Sequence, residues 1–264
     1  MDKEKFLSVA LAAARAAGGV HKKYYPRKLK ITTKSSPFDL VTVADIEAEK
    51  KVVALIRKHF PDHNILAEEG RYGTKTSSEY TWIVDPLDGT NNFAYKLPLF
   101  CVSIALARKE QLLLGVVYDV LRDEMFVARK GRGAFLNGKK IAVAKAGKLE
   151  GAMLITGFYY DRGAKMLDNI EMIKRFLLKD IAGIRRFGSA ALDLCYVACG
   201  RASGFWEYEL SPWDFAAGEL LVEEAGGRVS GRFGEPVILK NSYIVASNGK
   251  IHNQMLTVLK KTQR

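Results

Sequence analysis

Apolar side chains recur every three or four positions in the first sixty residues, and this spacing predicts two helices. The first predicted helix covers residues 2–25. The second begins after Thr42, which has the residue type of an N-cap, and runs to about Phe60. Residues 27–39, between the two helices, are predicted to form a basic loop.

Short apolar runs separated by turn residues predict strands in the next part of the chain. Asn137 and Gly138 form a pair that strongly favours a β-hairpin, and strands that follow one another by hairpins are antiparallel. The predicted strands are residues 64–67, 82–84, 100–107, 112–118, 124–128 and 141–143.

From about residue 150 onwards, predicted strands alternate with predicted helices, a pattern typical of an α/β arrangement. The strands are residues 152–156, 184–187, 202–207 and 243–246, and the helices are residues 164–178, 190–199, 213–225 and a last one from about 250. We therefore place a boundary near 145–151. Residues 1–150 would carry the N-terminal helices and an antiparallel sheet, and residues 151–264 an α/β half, the two forming one compact unit.

The composition is that of a globular protein. The chain has 264 residues, of which 48% are hydrophobic, enough for a substantial core. No apolar run approaches the ~20 residues of a membrane span, and the first residues lack a signal-peptide pattern. The three cysteines lie in apolar surroundings, as buried reduced thiols do. These features predict a cytoplasmic protein.

The net charge of +12 favours anionic partners in general. The basic residues are spread along the chain, without the interleaved aromatic residues of a platform for single-stranded nucleic acid. We interpret most of them as solvated faces, and association with nucleic acid stays open as a secondary possibility.

The candidate chemistry follows a buried strand that ends at Asp85. Pro86 is expected to end the strand because it has no N–H, and Asp88 and Gly89 follow on a turn. Carboxylate oxygens suit Mg²⁺, which keeps open positions for water and phosphate oxygens. Gly89 lets the backbone approach a ligand, and Thr90 stands where a helix could begin and favour an anion. By composition alone, an ordinary surface turn would be favoured.

The order of the residues favours a metal and phosphate site over a surface turn. Residues 85–93, Asp-Pro-Leu-Asp-Gly-Thr-Asn-Asn-Phe, resemble the first signature of the inositol monophosphatase family, a branch of the lithium-sensitive, Mg²⁺-dependent phosphatases. Residues 213–218 and 224–227 resemble its second signature, and residues 67–70 a third element. The resemblance covers most of the chain. It implies an α+β or α/β fold, a layered α-β-α-β-α sandwich with the active site between the two halves.

The resemblance also implies two or three Mg²⁺ ions. Glu68, Asp85 and the Leu87 carbonyl would hold the first ion, which activates water. Asp85, Asp88 and Asp214 would hold the second ion, near the leaving oxygen. Glu68 would also approach a third, weaker ion.

Catalytic roles are implied in the same way. The backbone N–H groups of Gly89 and Thr90, beside Asp88, would hold the phosphate. Glu68 and the Thr90 hydroxyl would position the attacking water, and Asp45 would accept a hydrogen bond from Thr90. The attack on phosphorus would be in line, with no covalent intermediate on the protein.

Several of these residues have a simpler interpretation. Asp45 stands three residues after Thr42 and could complete a capping box. Asp214 stands at a helix start, where any acid complements the helix dipole. Asp45 could complete the capping box and accept the hydrogen bond from Thr90 at the same time. Lys34 and Asp39 are weaker candidates for positions near the metals.

Contacts to the organic part of the substrate are also implied by resemblance. Glu207 would accept hydrogen bonds from polyol hydroxyls, and a backbone N–H near Ala190 would reach another hydroxyl. Arg186 would contact a second anionic group or form a salt bridge. Tyr159 and Tyr160 would line the rim.

The predicted function is hydrolysis of myo-inositol monophosphate. The alternatives are a fructose-1,6-bisphosphatase or a dual enzyme, a 3′(2′),5′-bisphosphate nucleotidase, and an accessory factor of the transcription machinery. A homodimer is expected, because members of the family are commonly dimers.

Overall fold

The computed structural model describes residues 3–27, 31–33, 40–70, 76–158 and 162–260. The helices are α1 (Lys3–Tyr24), α2 (Val43–His59), α3 (Thr90–Ala94), α4 (Ala164–Leu177), α5 (Ala190–Ala198), α6 (Pro212–Glu224) and α7 (His252–Leu259). The strands are β1 (Ile31–Thr33), β2 (Leu40–Thr42), β3 (Asn64–Ala67), β4 (Tyr80–Asp88), β5 (Cys101–Arg108), β6 (Gln111–Asp119), β7 (Glu124–Arg129), β8 (Gly133–Leu136), β9 (Lys139–Lys140), β10 (Met153–Thr156), β11 (Gly183–Arg185), β12 (Gly204–Leu210), β13 (Arg228–Ser230) and β14 (Ser242–Ser247).

Two large sheets organise the chain. The first has the order β3-β4-β5-β6-β7-β8-β9, and its neighbours are antiparallel except for the parallel pair β3–β4. The second has the order β11-β10-β12-β14-β13. In it β10 runs parallel to β11 and β12, while β14 runs antiparallel to β12 and β13.

The helices complete five layers. Helices α1 and α2 pack against β4, β5 and β6 on one face of the first sheet. Helices α5 and α6 lie between the two sheets, and α4 and α7 cover the outer face of the second. Three apolar clusters fill the spaces between these layers. The predicted α-β-α-β-α sandwich is thus confirmed, whereas the boundary near residue 150 stays a prediction.

Three local predictions were wrong, and three short strands were missed. Part of the predicted basic loop is strand β1, which pairs with β2. Strand β4 passes through Pro86 to Asp88, because a bulge absorbs the missing N–H. The hairpin after Asn137 returns as Lys139–Lys140 instead of residues 141–143. Strands β2, β8 and β13, three or four residues long, were not predicted.

No helix in the described ranges combines the length and the apolar character that crossing a membrane requires.

Close contact between α6 and the first sheet depends on Gly115 in β6. A Cβ atom there would lie 2.6 Å from the backbone oxygen of Ala217 and 3.1 Å from its Cα. Backbone atoms cannot move aside as side chains do, so α6 rests directly on β6.

We therefore expect Gly115→Ala to destabilise the fold by about 1–3 kcal/mol, because the added methyl group overpacks a backbone contact. Gly19→Ala is the matched control. Gly19 is exposed inside α1 with no atom near its Cβ position, so alanine should stabilise the fold by about 0.5–1 kcal/mol. Urea unfolding of both variants measures the difference. Equal effects would show that α6 does not depend on this contact.

Candidate active site

A cavity of about 290 Å³ opens where β4 and α3 approach α5, β12 and α6. Residues from β4, α3, α5, β12 and α6 meet around it. Ten of the predicted site residues line it: Glu68, Asp85, Leu87, Asp88, Gly89, Thr90, Arg186, Ala190, Glu207 and Asp214. The eleventh, Asp45, lies behind Thr90 and contacts it.

The bulge in β4 turns both aspartates of the first signature towards this cavity. Asp85 pairs with Ser103 and Asp88 with Cys101, so the strand carries one residue more than its partner between these points. The Leu87 N–H donates to Asp85 Oδ1 at 2.9 Å. The additional residue changes the side-chain alternation, which would otherwise place two residues three positions apart on opposite faces.

Gly89 makes the turn from β4 into α3. Its φ of 92° is in the left-handed region, and a Cβ atom would lie 2.9 Å from the Leu99 carbonyl oxygen. Only glycine adopts this conformation at low cost. The turn therefore sets Thr90 at the start of α3, beside the cavity.

Asp45 performs both of the roles considered for it. Its Oδ2 accepts from the Thr42 N–H at 2.8 Å and from the Thr42 hydroxyl at 2.6 Å, which completes the capping box of α2. Its Oδ1 accepts from the Thr90 hydroxyl at 2.8 Å. Burial raises the pKa of Asp45 to about 6, against the effect of these hydrogen bonds.

Asp88 links β4 to the start of α5. Its Oδ2 accepts from the Ser189 hydroxyl and from the Ala191 N–H, each at 2.7 Å, at the start of α5. Burial raises the pKa of Asp88 to about 6, with repulsion from Glu68 adding to it. The sequence indicated that α5 begins near Ala190. It gave no sign that a distant aspartate shares the cap, although Ser189 has the residue type of an N-cap.

Asp214 caps α6 and faces the cavity at the same time. Its Oδ2 accepts from the Ser211 N–H at 2.7 Å. Burial raises the pKa of Asp214 well above its usual value, and repulsion from Asp88 and Glu68 adds a smaller effect in the same direction. As with Asp45, the capping role and the place in the site coexist.

Glu207 and Arg186 also line the cavity. Gly157 leaves the room that Glu207 fills, since a Cβ atom there would fall 2.0 Å from its carboxylate. Burial raises the pKa of Glu207 to about 8, which the Arg186 charge opposes. Sequence reasoning missed Asp193 of α5. This aspartate is buried near these groups, and among the described residues neither of its carboxylate oxygens has a hydrogen-bond partner.

The chemistry of the cavity suits a hard cation. Glu68, Asp85, Asp88 and Asp214 offer oxygen ligands. Burial first, and repulsion between these carboxylates second, raises the pKa values of Asp88 and Asp214, and a divalent cation would stabilise the charged forms. Within the described residues, no three acidic, His or Cys side chains stand grouped so that they could hold a metal ion. The donor types and the charge therefore fit Mg²⁺, and side-chain movement would have to close the coordination shell.

Four further candidates for the site lie outside the described residues: Lys34, Asp39, Tyr159 and Tyr160.

Comparison with known proteins gives sequence relatives that match nearly the whole chain, among them the following two. Nus factor SuhB of Pseudomonas aeruginosa is 45% identical over 261 residues, covering 97% of this chain and 96% of that protein. Inositol-1-monophosphatase of a Synechocystis species is 42% identical over 261 residues, covering 99% of this chain and 91% of that protein.

Solved structures give the same picture. Extragenic suppressor protein SuhB of Bartonella henselae has a TM-score of 0.93 at 38% identity, covering 98% of this chain and all of that one. A more distant structure, an IMPase/NADP phosphatase complexed with Mg²⁺ and phosphate, has a TM-score of 0.86 at 25% identity, covering 98% and 96%. The family model for the inositol monophosphatases matches residues 2–264, and the chain belongs to the inositol monophosphatase family.

Proposed function

We propose that this protein is a Mg²⁺-dependent phosphomonoesterase that hydrolyses myo-inositol monophosphate to inositol and phosphate. The observation that carries the proposal is the cavity itself. The four candidate metal-binding carboxylates, Glu68, Asp85, Asp88 and Asp214, come from three parts of the chain and line it together. They lie next to a threonine whose hydroxyl is hydrogen-bonded to a buried aspartate. The relative named inositol-1-monophosphatase and the distant structure holding Mg²⁺ and phosphate support the same reaction.

Mg²⁺ at this site would neutralise phosphate charge and lower the pKa of a water molecule. Glu68, Asp85, the Leu87 carbonyl, Asp88 and Asp214 would hold it. We infer two or three ions from the family resemblance.

The residues around Thr90 would handle the proton of the attacking water. Because the Thr90 hydroxyl donates to Asp45, its oxygen lone pairs can accept a hydrogen bond from a water molecule in the cavity. Asp45 is itself held by Thr42 at its other oxygen, so the pair has a fixed orientation. The water oxygen would form a bond to phosphorus in line with the ester P–O bond that breaks, and Glu68 would help to position it. The water would give a proton to the Thr90 hydroxyl as Thr90 passes its own proton to Asp45, and the released inositol oxygen would take up a proton from solvent water.

Glu207, Ala190 and Arg186 would contact the organic part of the substrate, with Gly89 and Thr90 at the phosphate. A carboxyl group binds polyol hydroxyls as donor or acceptor according to its protonation. Fructose 1,6-bisphosphate is the alternative substrate, alone or in a dual enzyme, and a 3′(2′),5′-bisphosphate nucleotide is a less favoured one.

Phosphate release with Mg²⁺ tests the proposal directly on inositol 1-phosphate, fructose 1,6-bisphosphate and 3′-phosphoadenosine 5′-phosphate.

Asp88→Asn should lower kcat by about 100-fold or more, since losing a metal ligand should cost at least as much as losing a group that orients one. Asparagine keeps an oxygen for Ser189 and Ala191, so the unfolding temperature should change little. Turnover in excess chelator, or normal turnover by Asp88→Asn, would contradict the metal assignment.

Asp45→Asn should lower kcat by about 100-fold. The amide oxygen is expected to stay with the two Thr42 donors, so the amide nitrogen would face Thr90 and reverse its hydrogen bond. Steady-state kinetics and thermal unfolding measured together check this. A lower unfolding temperature with kcat unchanged would mean that Asp45 acts only as a helix cap.

Glu207→Leu should raise KM for inositol 1-phosphate by about 10-fold or more, the effect of losing hydrogen bonds to a charged or acidic group. KM for an aryl phosphate without hydroxyls should stay within about twofold, because Glu207 has nothing to bind there. Glu207→Gln should fall between wild type and Glu207→Leu, since an amide keeps one acceptor and can donate. An equal rise of KM for both substrates would remove Glu207 from substrate recognition.

A second candidate function is an accessory role at the transcription machinery. Relatives named Nus factor SuhB and the net charge of +12 favour it. The Asp88→Asn variant separates the two functions, because a binding role would survive the loss of hydrolysis. Binding to RNA through the basic surface would weaken steeply with salt. The homodimer stays a prediction.

A further inference from the structure

His21 lies in the last turn of α1 and is fully buried. Its Nε2 is 2.9 Å from the carbonyl oxygen of Pro86, 65 residues further along the chain. Pro86 stands in the β4 bulge, between Asp85 and Asp88. The contact therefore joins the outer helical layer to the backbone of the candidate metal site.

The partner of Nε2 determines which nitrogen of the imidazole ring carries a hydrogen. A carbonyl oxygen only accepts, so Nε2 must carry the hydrogen. Among the described residues, Nδ1 has no hydrogen-bond partner. Burial lowers the pKa of His21 to about 4, so the ring is neutral near neutral pH. His21 therefore acts as a neutral hydrogen-bond donor, through Nε2, to the Pro86 carbonyl oxygen.

Aromatic neighbours hold the ring in place. The centroid of His21 lies 5.8 Å from that of Phe93 in α3 and 5.7 Å from that of Phe100, just before β5. Phe93 and Phe100 are themselves packed edge to face at 4.9 Å. A ring enclosed in this way loses little further entropy when it makes its hydrogen bond.

The Pro86 carbonyl and the Leu87 N–H belong to the same peptide group. No peptide bond in the described chain is cis, and in a planar trans peptide the C=O and N–H point in opposite directions. The Leu87 N–H donates to Asp85 Oδ1 at 2.9 Å. His21 and Asp85 therefore hold one rigid peptide group from its two ends, and rotation of that group would break both hydrogen bonds.

We propose that His21 is a positioning residue for the metal site. By fixing the Pro86–Leu87 peptide group through its hydrogen bond to the Pro86 carbonyl, it sets the orientation of the Asp85 carboxylate. The bulge makes this necessary, because it interrupts the regular pairing of β4 with β5 at this peptide. The inference rests on the proposed function in so far as Asp85 is taken to bind Mg²⁺.

The test compares His21→Leu with His21→Gln. Leucine is apolar and has no donor, whereas the glutamine amide can reach about as far as Nε2 and donate. Calorimetric titration with Mg²⁺ gives the dissociation constant independently of turnover, and kinetics give kcat and KM. We expect His21→Leu to bind Mg²⁺ about 10-fold more weakly or worse, the usual effect of losing a group that orients a ligand, and His21→Gln to recover most of the affinity.

His252→Leu is the matched control. His252 is also fully buried, and it bonds Ser230 Oγ and Ser247 Oγ, each at 2.9 Å, away from the cavity. Its replacement should lower the unfolding temperature and leave the Mg²⁺ dissociation constant unchanged.

Unchanged Mg²⁺ affinity in His21→Leu would overturn the inference, and so would an equal loss in His252→Leu or in His21→Gln. A wild-type protein that binds no Mg²⁺ would overturn both the inference and the metal assignment. A wild-type protein that binds Mg²⁺ without hydrolysing any phosphomonoester would overturn the proposed function alone.

Discussion

The bulge in β4 is the constraint on which the site depends. One additional residue between Asp85 and Asp88 brings two carboxylates of the same strand to the same cavity. Pro86 suits this place because a bulge residue needs no N–H for the ladder. The peptide group after it is held by a carboxylate at one end and by a buried histidine at the other. Gly89 then turns the chain into α3 without a steric clash.

Helix starts recur around the cavity, and acidic residues of the site bind to them. Asp45 caps α2, Asp88 accepts from the first turn of α5, and Asp214 accepts from the residue before α6. A helix N-terminus carries a partial positive charge and unpaired N–H groups, so each start stabilises the charged form of a carboxylate, which burial disfavours. The same hydrogen bonds hold the carboxylates in orientation. Capping and a place in the site are thus two results of one geometry.

The layered fold brings these helix starts together. Helices α5 and α6 are enclosed between the two sheets, and α6 touches the backbone of the first sheet at Gly115. Because both helices begin at the same end of the interface, Ser189 and Asp214 come close to Asp88 although more than a hundred residues of chain separate Asp88 from either of them.

The sequence by itself determined the family, the order of the layers and the set of carboxylates. Local periodicity marks helices and strands, and the order of residues in the two signatures and the third element is specific enough to name Glu68, Asp85, Asp88 and Asp214. It did not determine the bulge at Pro86, because a proline after a strand usually marks the end of that strand. Nor did it indicate that Ser189 binds Asp88, that Asp193 is buried near Glu207, or that His21 reaches Pro86. Each of these contacts joins residues that are distant in sequence or depends on burial, and only the packing of the layers brings such residues together.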